Sequence, residues 1–93
     1  MYYFKFIIVS PYKEYEVFYY SLTEEPTVDT LMRMTYDFMK LTANFYKHLM
    51  TGVNGEAFED MPEEEQQKKL NYYYNNCKYS WEKITEEEFY KEV

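Results

Sequence analysis

The stretch Thr27–Met50, TVDTLMRMTYDFMKLTANFYKHLM, constrains this chain more than any other. Val28, Leu31, Thr35, Phe38, Thr42, Phe45 and Leu49 recur at alternating intervals of three and four, and Met32, Met39 and Tyr46 widen the stripe. That spacing predicts an amphipathic helix with a broad apolar face. Thr27 can cap its start, with Pro26 just ahead, and Asp29 sits in the first turn, where a carboxylate suits the helix dipole. Thr51-Gly52 predicts the end, with Gly52 in the left-handed conformation. At 1.5 Å rise per residue the stretch would span ~36 Å, long for a small domain, so a kink or break is expected near Thr42-Ala43-Asn44. No other helical pattern is as long, and the remaining segments must bury themselves largely against this one.

Those segments read in order as β-β-α-α-β-α. Tyr2–Val9 is short and rich in aromatic and β-branched residues, with Tyr2, Phe4, Phe6 and Ile8 on one face and Tyr3, Lys5, Ile7 and Val9 on the other. Both faces are mostly apolar, which predicts a central strand. Ser10-Pro11-Tyr12-Lys13 is turn material, and the alternating run Glu14–Tyr20 predicts a second strand that closes a hairpin. Beyond the Thr51–Met61 loop, Asp60 with Glu63 forms an acidic capping box. It opens a second helix that ends near Cys77, with Leu70, Tyr73, Tyr74 and Cys77 as its buried face. Lys78–Ile84 predicts a third strand, with Tyr79, Trp81 and Lys83 sharing a face. Thr85 and Glu88 then cap a terminal helix, Glu86–Glu92, anchored by Phe89. The expected fold is α+β: one domain, 1–93, in which a three-stranded antiparallel sheet packs on one long helix and the third strand lies beside the first. The second face of that sheet is left only partly covered, open to a partner or a second copy.

Ninety-three residues make a small core, so every large side chain counts, and the chain supplies thirteen Tyr, seven Phe, one Trp and six Met. Tyrosine in such numbers points to half-buried positions with a wet hydroxyl. The net charge of −7 is uneven. Residues 1–50 hold six acids and five bases, residues 51–93 eleven acids and five bases. Six of those acids fall between Glu56 and Glu65. Such a surface repels nucleic acid and anionic membrane and attracts basic protein surfaces, although an acidic face also simply keeps a Tyr-rich protein in solution. The apolar N-terminus is too short to span a bilayer and has no basic region ahead of it, so nothing in the sequence exports or anchors the chain, and a cytoplasmic location is expected.

Chemistry-bearing motifs are scarce. His48 is the sole histidine and sits where the dipole of a helix C-terminus favours it; no Ser, Cys or acid stands in a motif relation to it. Cys77 is the sole cysteine, which excludes an intrachain disulfide, and it falls on a predicted buried face. Gly52 and Gly55 cannot make a phosphate loop, and the acids of 56–65 lack the rhythm of a calcium loop. The bases form no groove for nucleic acid, and Tyr72-Tyr73-Tyr74 is flanked by the wrong charge. The sequence therefore predicts no enzyme, cofactor or metal. What it offers is acidic side chains interleaved with exposed tyrosine, a surface suited to docking on a basic protein.

The segment Asn75–Val93, NNCKYSWEKITEEEFYKEV, and the small, acidic, Tyr/Glu/Asn-rich outline of the chain resemble the short accessory proteins of phages and mobile elements. Some of these inhibit host defence, including anti-CRISPR proteins that imitate DNA. The resemblance lies in style rather than in a diagnostic motif. It implies a non-enzymatic inhibitor that binds a basic host protein handling nucleic acid, such as a CRISPR nuclease, in the cytoplasm of a bacterial host. On the residues themselves, the expected contact set is Glu56, Glu59, Asp60, Glu63, Glu64 and Glu65, followed by Tyr72, Glu86 and Glu87. The alternative is a small structural or self-associating module, for instance a homodimer.

Overall fold

The computed structural model describes residues 1–92; Val93, which ends the segment singled out above, lies outside them. Strands β1 (Tyr2–Val9), β2 (Tyr15–Leu22) and β3 (Lys78–Ile84) form an antiparallel sheet in the order β2-β1-β3. Helices α1 (Val28–Phe45), α2 (Glu63–Asn76) and α3 (Glu86–Glu92) complete the predicted α+β order, with short 3-10 turns at Lys47–Leu49 and Phe58–Asp60. The apolar character of β1 on both faces has its outcome here: it is the middle strand, and Phe4, Phe6 and Ile8 are buried on one side and Tyr3 on the other.

The hairpin turn rests on Ser10. Its N–H donates to the Glu14 carbonyl at 2.7 Å, and its buried hydroxyl accepts from the N–H groups of Tyr12 and Glu14 at 3.2 Å each. Lys13 takes a positive φ of 66° to close the turn. The register is continuous from Val9↔Tyr15 to Tyr2↔Leu22, and β3 pairs on the far side from Val9↔Lys78 to Tyr3↔Ile84.

Helix α1 begins as predicted, with the Thr30 N–H donating to Thr27 Oγ1 at 3.2 Å. It ends earlier than predicted. Helical structure stops at Phe45, and a 3-10 turn carries the chain on to Met50. The break falls just past Thr42-Ala43-Asn44, at Tyr46, whose N–H still reaches the Thr42 carbonyl. The stripe also needs correction. The buried positions are Leu31, Thr35, Met39, Thr42, Ala43, Tyr46 and Met50, whereas Val28, Phe45 and Leu49 are exposed. Buried threonine is tolerated because each hydroxyl donates to its own helix, Thr35 to the Leu31 carbonyl and Thr42 to that of Met39, both at 2.8 Å.

The two halves of α1 serve two cores. Its first half packs on the sheet, where Phe4, Phe6 and Leu31 are joined by Phe18, Met34, Phe38 and Trp81. The Phe38 ring stacks on Phe18 at 4.4 Å and lies 5.0 Å from Phe6, so α1, whose backbone lies against β1, reaches β2 through this side chain. Its second half packs on α2 through Ala43, Tyr46, Met50, Phe58, Met61 and the fully buried Tyr73. Tyr73 spends its hydroxyl on Thr42 Oγ1 at 2.8 Å, joining the two helices by a buried hydrogen bond. Helix α3 lies on the other sheet face, with Phe89 against Tyr3 at 4.8 Å. Among the described residues the remainder of that face, around the half-buried Ile7 and Val17, has no covering layer.

Dividing the core in two makes the molecule long and thin, 48 × 26 × 17 Å, with a radius of gyration of 15.7 Å. A compact domain of this length would have a radius near ~12 Å. No helix among the described residues is long and apolar enough to cross a membrane.

Candidate protein-docking surface

The acidic stretch is held by backbone and by two buried anchors. After Met50, the Gly52 N–H donates to the Glu56 carbonyl at 2.9 Å and the Gly55 N–H to the Gly52 carbonyl at 3.0 Å. Gly55, not Gly52, takes the left-handed conformation, at φ 76°. The sequence assigned that role to the wrong glycine because the chain does not reverse directly at the helix end; the 3-10 turn intervenes. Gly52 is instead a site of close approach. A Cβ there would stand 3.2 Å from Glu56 Cβ and 3.3 Å from Glu65 Oε1. Two half-buried acidic side chains thus converge on one backbone position.

Phe58 and Met61 are buried in the second core and pin the next turn, from which Glu59 and Asp60 project into solvent. The predicted capping box is absent. Pro62 occupies the N-cap of α2 and Asp60 ends the preceding 3-10 turn, because the two residues after it are too extended to continue a helix. Glu63, Glu64 and Glu65 fill the first turn of α2, where the dipole favours negative charge. Compensation is slight. The one ion pair among the described residues joins Glu64 to Lys68 at 3.9 Å with both side chains largely exposed, a geometry that contributes little. Lys47 lies close by, but its ammonium sits over the Phe58 ring at 5.1 Å.

Tyr72 stands two turns beyond Glu65 on the same face of α2 and is exposed. With Tyr12, Leu49, Val53, Lys68 and Lys69 it lines an open groove of about 740 Å³ that reaches back to Glu64 and Glu65. Lysines therefore stand between Tyr72 and the carboxylates, so the acid–tyrosine interleaving expected from the sequence is looser than pictured. Tyr12 and Val53 were missed by sequence reasoning. Val53 carried a signal, an aliphatic residue in an otherwise polar loop, and it is 93% exposed.

Glu86 and Glu87 do not join this surface. They open α3, which packs on Tyr3 at the beginning of β1, whereas Glu56–Glu65 surround the core at the other end of that strand. The length of β1 between the two ends is ~20 Å. The expected contact set is thus one cluster of six acids with Tyr72 nearby, and a separate acidic helix.

Neither lone reactive residue is set up for chemistry by its surroundings. The exposed His48 ring places Nδ1 3.0 Å from the Phe45 carbonyl, a helix-end contact. Burial pushes the half-buried Cys77 thiol up, away from the reactive thiolate, although the neighbouring Tyr73 hydroxyl opposes the shift. Burial likewise raises Tyr73 above the ordinary tyrosine range. Among the described residues no group of three His, Cys, Asp or Glu side chains is placed to hold a metal ion. No protein-family model, curated protein or solved structure matches the chain.

Proposed function

We propose that this protein is a non-enzymatic inhibitor that blocks a basic, nucleic-acid-binding surface of a bacterial host protein, an anti-CRISPR-like role exercised in the host cytoplasm. The observation that carries the reading is the pinned acidic segment. Six carboxylates project from a short run of backbone anchored by Phe58 and Met61, and among the described residues a single weak ion pair offsets them. Glu56 and Glu65 both approach Gly52, so a cation arriving there meets two acidic side chains. An Arg or Lys of the target would supply that cation and could no longer serve DNA or RNA. Rigid anchoring lowers the entropy lost on binding, and Tyr72 with Tyr12 offers aromatic contact area at the rim.

Affinity capture from a bacterial host, with this protein as bait, identifies the target. Reversing three charges, Glu59→Lys, Asp60→Lys and Glu63→Lys, touches only exposed side chains, so the fold stays intact while binding is abolished. The wild-type complex weakens steeply with added salt. Unchanged capture by the triple variant would sink the proposal.

The open sheet face favours a second reading, a self-associating module. The two are compatible, since the acidic segment and the open sheet face occupy different parts of the molecule.

A further inference from the structure

We infer that two copies of this chain pair through β2, with α1 packing against its mate across the same two-fold axis. The inference starts from the unprotected edge. Both outer strands, β2 and β3, lack a further neighbour among the described residues. Strand β3 carries Lys78, Glu82 and Lys83, the charges that discourage edge pairing. Strand β2, YEVFYYSL, has eight residues, no proline and one charge. That charge, Glu16, is already engaged by the Tyr46 hydroxyl at 2.9 Å.

The backbone is correctly presented. Ser10 and Glu14 form a hydrogen-bonded pair, so by alternation Glu16, Phe18 and Tyr20 turn their N–H and C=O groups toward β1. Tyr15, Val17, Tyr19 and Ser21 therefore direct theirs outward. A two-fold axis normal to the sheet makes β2 pair antiparallel with itself, and opposed residues must share a face. The register centred on Phe18 meets both conditions. It sets Val17 opposite the second copy's Tyr19, Tyr15 opposite Ser21, and Glu16 opposite Tyr20, with no like charges facing.

Helix α1 carries a second apolar stripe that the monomer uses only in its first half, where Met34 and Phe38 are partly buried. Met34, Phe38, Leu41 and Phe45 follow the four-three-four spacing of a coiled-coil seam. Phe38 stacks on β2, while Leu41 and Phe45 are 43% and 48% exposed along the same flank. Helix α1 lies against β1 and reaches β2 through Phe38, so pairing through β2 turns the Phe38–Leu41–Phe45 flank of one copy toward that of the other. Leu41 and Phe45 would then meet Phe38 and Met34 of the second copy.

Charge and area agree. The exposed face of α1 mixes Asp29 and Asp37 with Arg33 and Lys40, and the acidic segment belongs to the α2 side, which leads into the opposite edge strand. The accessible surface is 6596 Å², whereas a compact monomer of 11.6 kDa exposes ~5,800 Å². The elongated shape accounts for the excess and leaves enough surface for the ~800 Å² that each partner gives to a standard interface.

Sedimentation velocity of the full chain tests this. At concentrations on the order of 0.1 mM the protein sediments at twice its 11.6 kDa mass. Leu41→Glu with Phe45→Glu, both at exposed positions, raises the dimer dissociation constant by ~100-fold or more while leaving the circular dichroism spectrum unchanged. In a second variant, Val17→Cys with Tyr19→Cys, mild oxidation yields a covalent dimer bridged between positions 17 and 19 of different copies. A monomeric wild type overturns the inference, and so does a dimer that survives the helix variant and forms no such bridge. Neither result bears on the acidic segment, so the proposed inhibition stands or falls separately.

Discussion

The hydrogen bond from Tyr73 to Thr42 is the most exacting test of how the two helices are joined. Both groups are fully buried, and the Tyr73 hydroxyl has Thr42 Oγ1 as its acceptor at 2.8 Å. Thr42 also donates to the Met39 carbonyl. Thr42→Val preserves the branched shape but leaves the buried tyrosine hydroxyl only the weakly accepting Cys77 thiol, which destabilises by about 1–3 kcal/mol. Tyr73→Phe removes the donor and leaves Thr42 one bond to its own helix, a loss nearer ~1 kcal/mol. The double variant replaces both partners with apolar groups of similar shape, so it is expected to be no worse than Thr42→Val alone, giving a coupling of about 1–2 kcal/mol. Such losses matter in a domain whose total stability is ~5–14 kcal/mol. Urea unfolding of the four proteins, followed by far-ultraviolet circular dichroism, supplies the cycle. Additive losses, agreeing within about 0.5 kcal/mol, would refute the reasoning, because they would mean that the two side chains do not depend on each other.

Tyr46 supplies a pH signature. Burial, followed by its hydrogen bond to Glu16, pushes its hydroxyl up to about 12, and Tyr73 shifts in the same direction. The unfolded chain loses these protons near the ordinary tyrosine value of ~10, so the contribution to stability is complete below pH ~10 and is lost as pH rises toward 12. Urea midpoints should therefore fall between about pH 10 and pH 12, and Tyr46→Phe should flatten part of that slope. The two glycines should separate by mechanism. Gly55→Ala meets no neighbour but must hold a positive φ, at about 1–2 kcal/mol, and Gly55→Asn should recover part of the loss. Gly52→Ala instead presses on Glu56 and Glu65, so its loss should shrink in the Gly52→Ala/Glu65→Ala pair, measured by thermal unfolding.

The sequence by itself determined the three strands, the three α-helices and their order. The period-two runs of β1 and β2, the cap at Thr27 and the Thr85–Glu88 box are local signals, and the backbone obeys them, with the Glu88 N–H donating to Thr85 Oγ1 at 3.1 Å. Two apolar faces on Tyr2–Val9 were enough to place that strand in the middle. The acids of Glu56–Glu65 could be read as one cluster because they are contiguous in the chain. Only the tertiary structure decided which apolar residues of α1 are core. Leu31, Thr35, Met39 and Thr42 compete with Met34, Phe38, Leu41 and Phe45, two stripes a fraction of a turn apart, and periodicity alone cannot rank them. The position of α2 ranks them: it draws Ala43, Tyr46 and Met50 inward and leaves Leu41 and Phe45 in solvent. The separation of Glu86 and Glu87 from the other acids was equally invisible, because it depends on which sheet face α3 covers. Spacing along a chain fixes the direction of a side chain within its own element, whereas its neighbours are set by where the other elements pack.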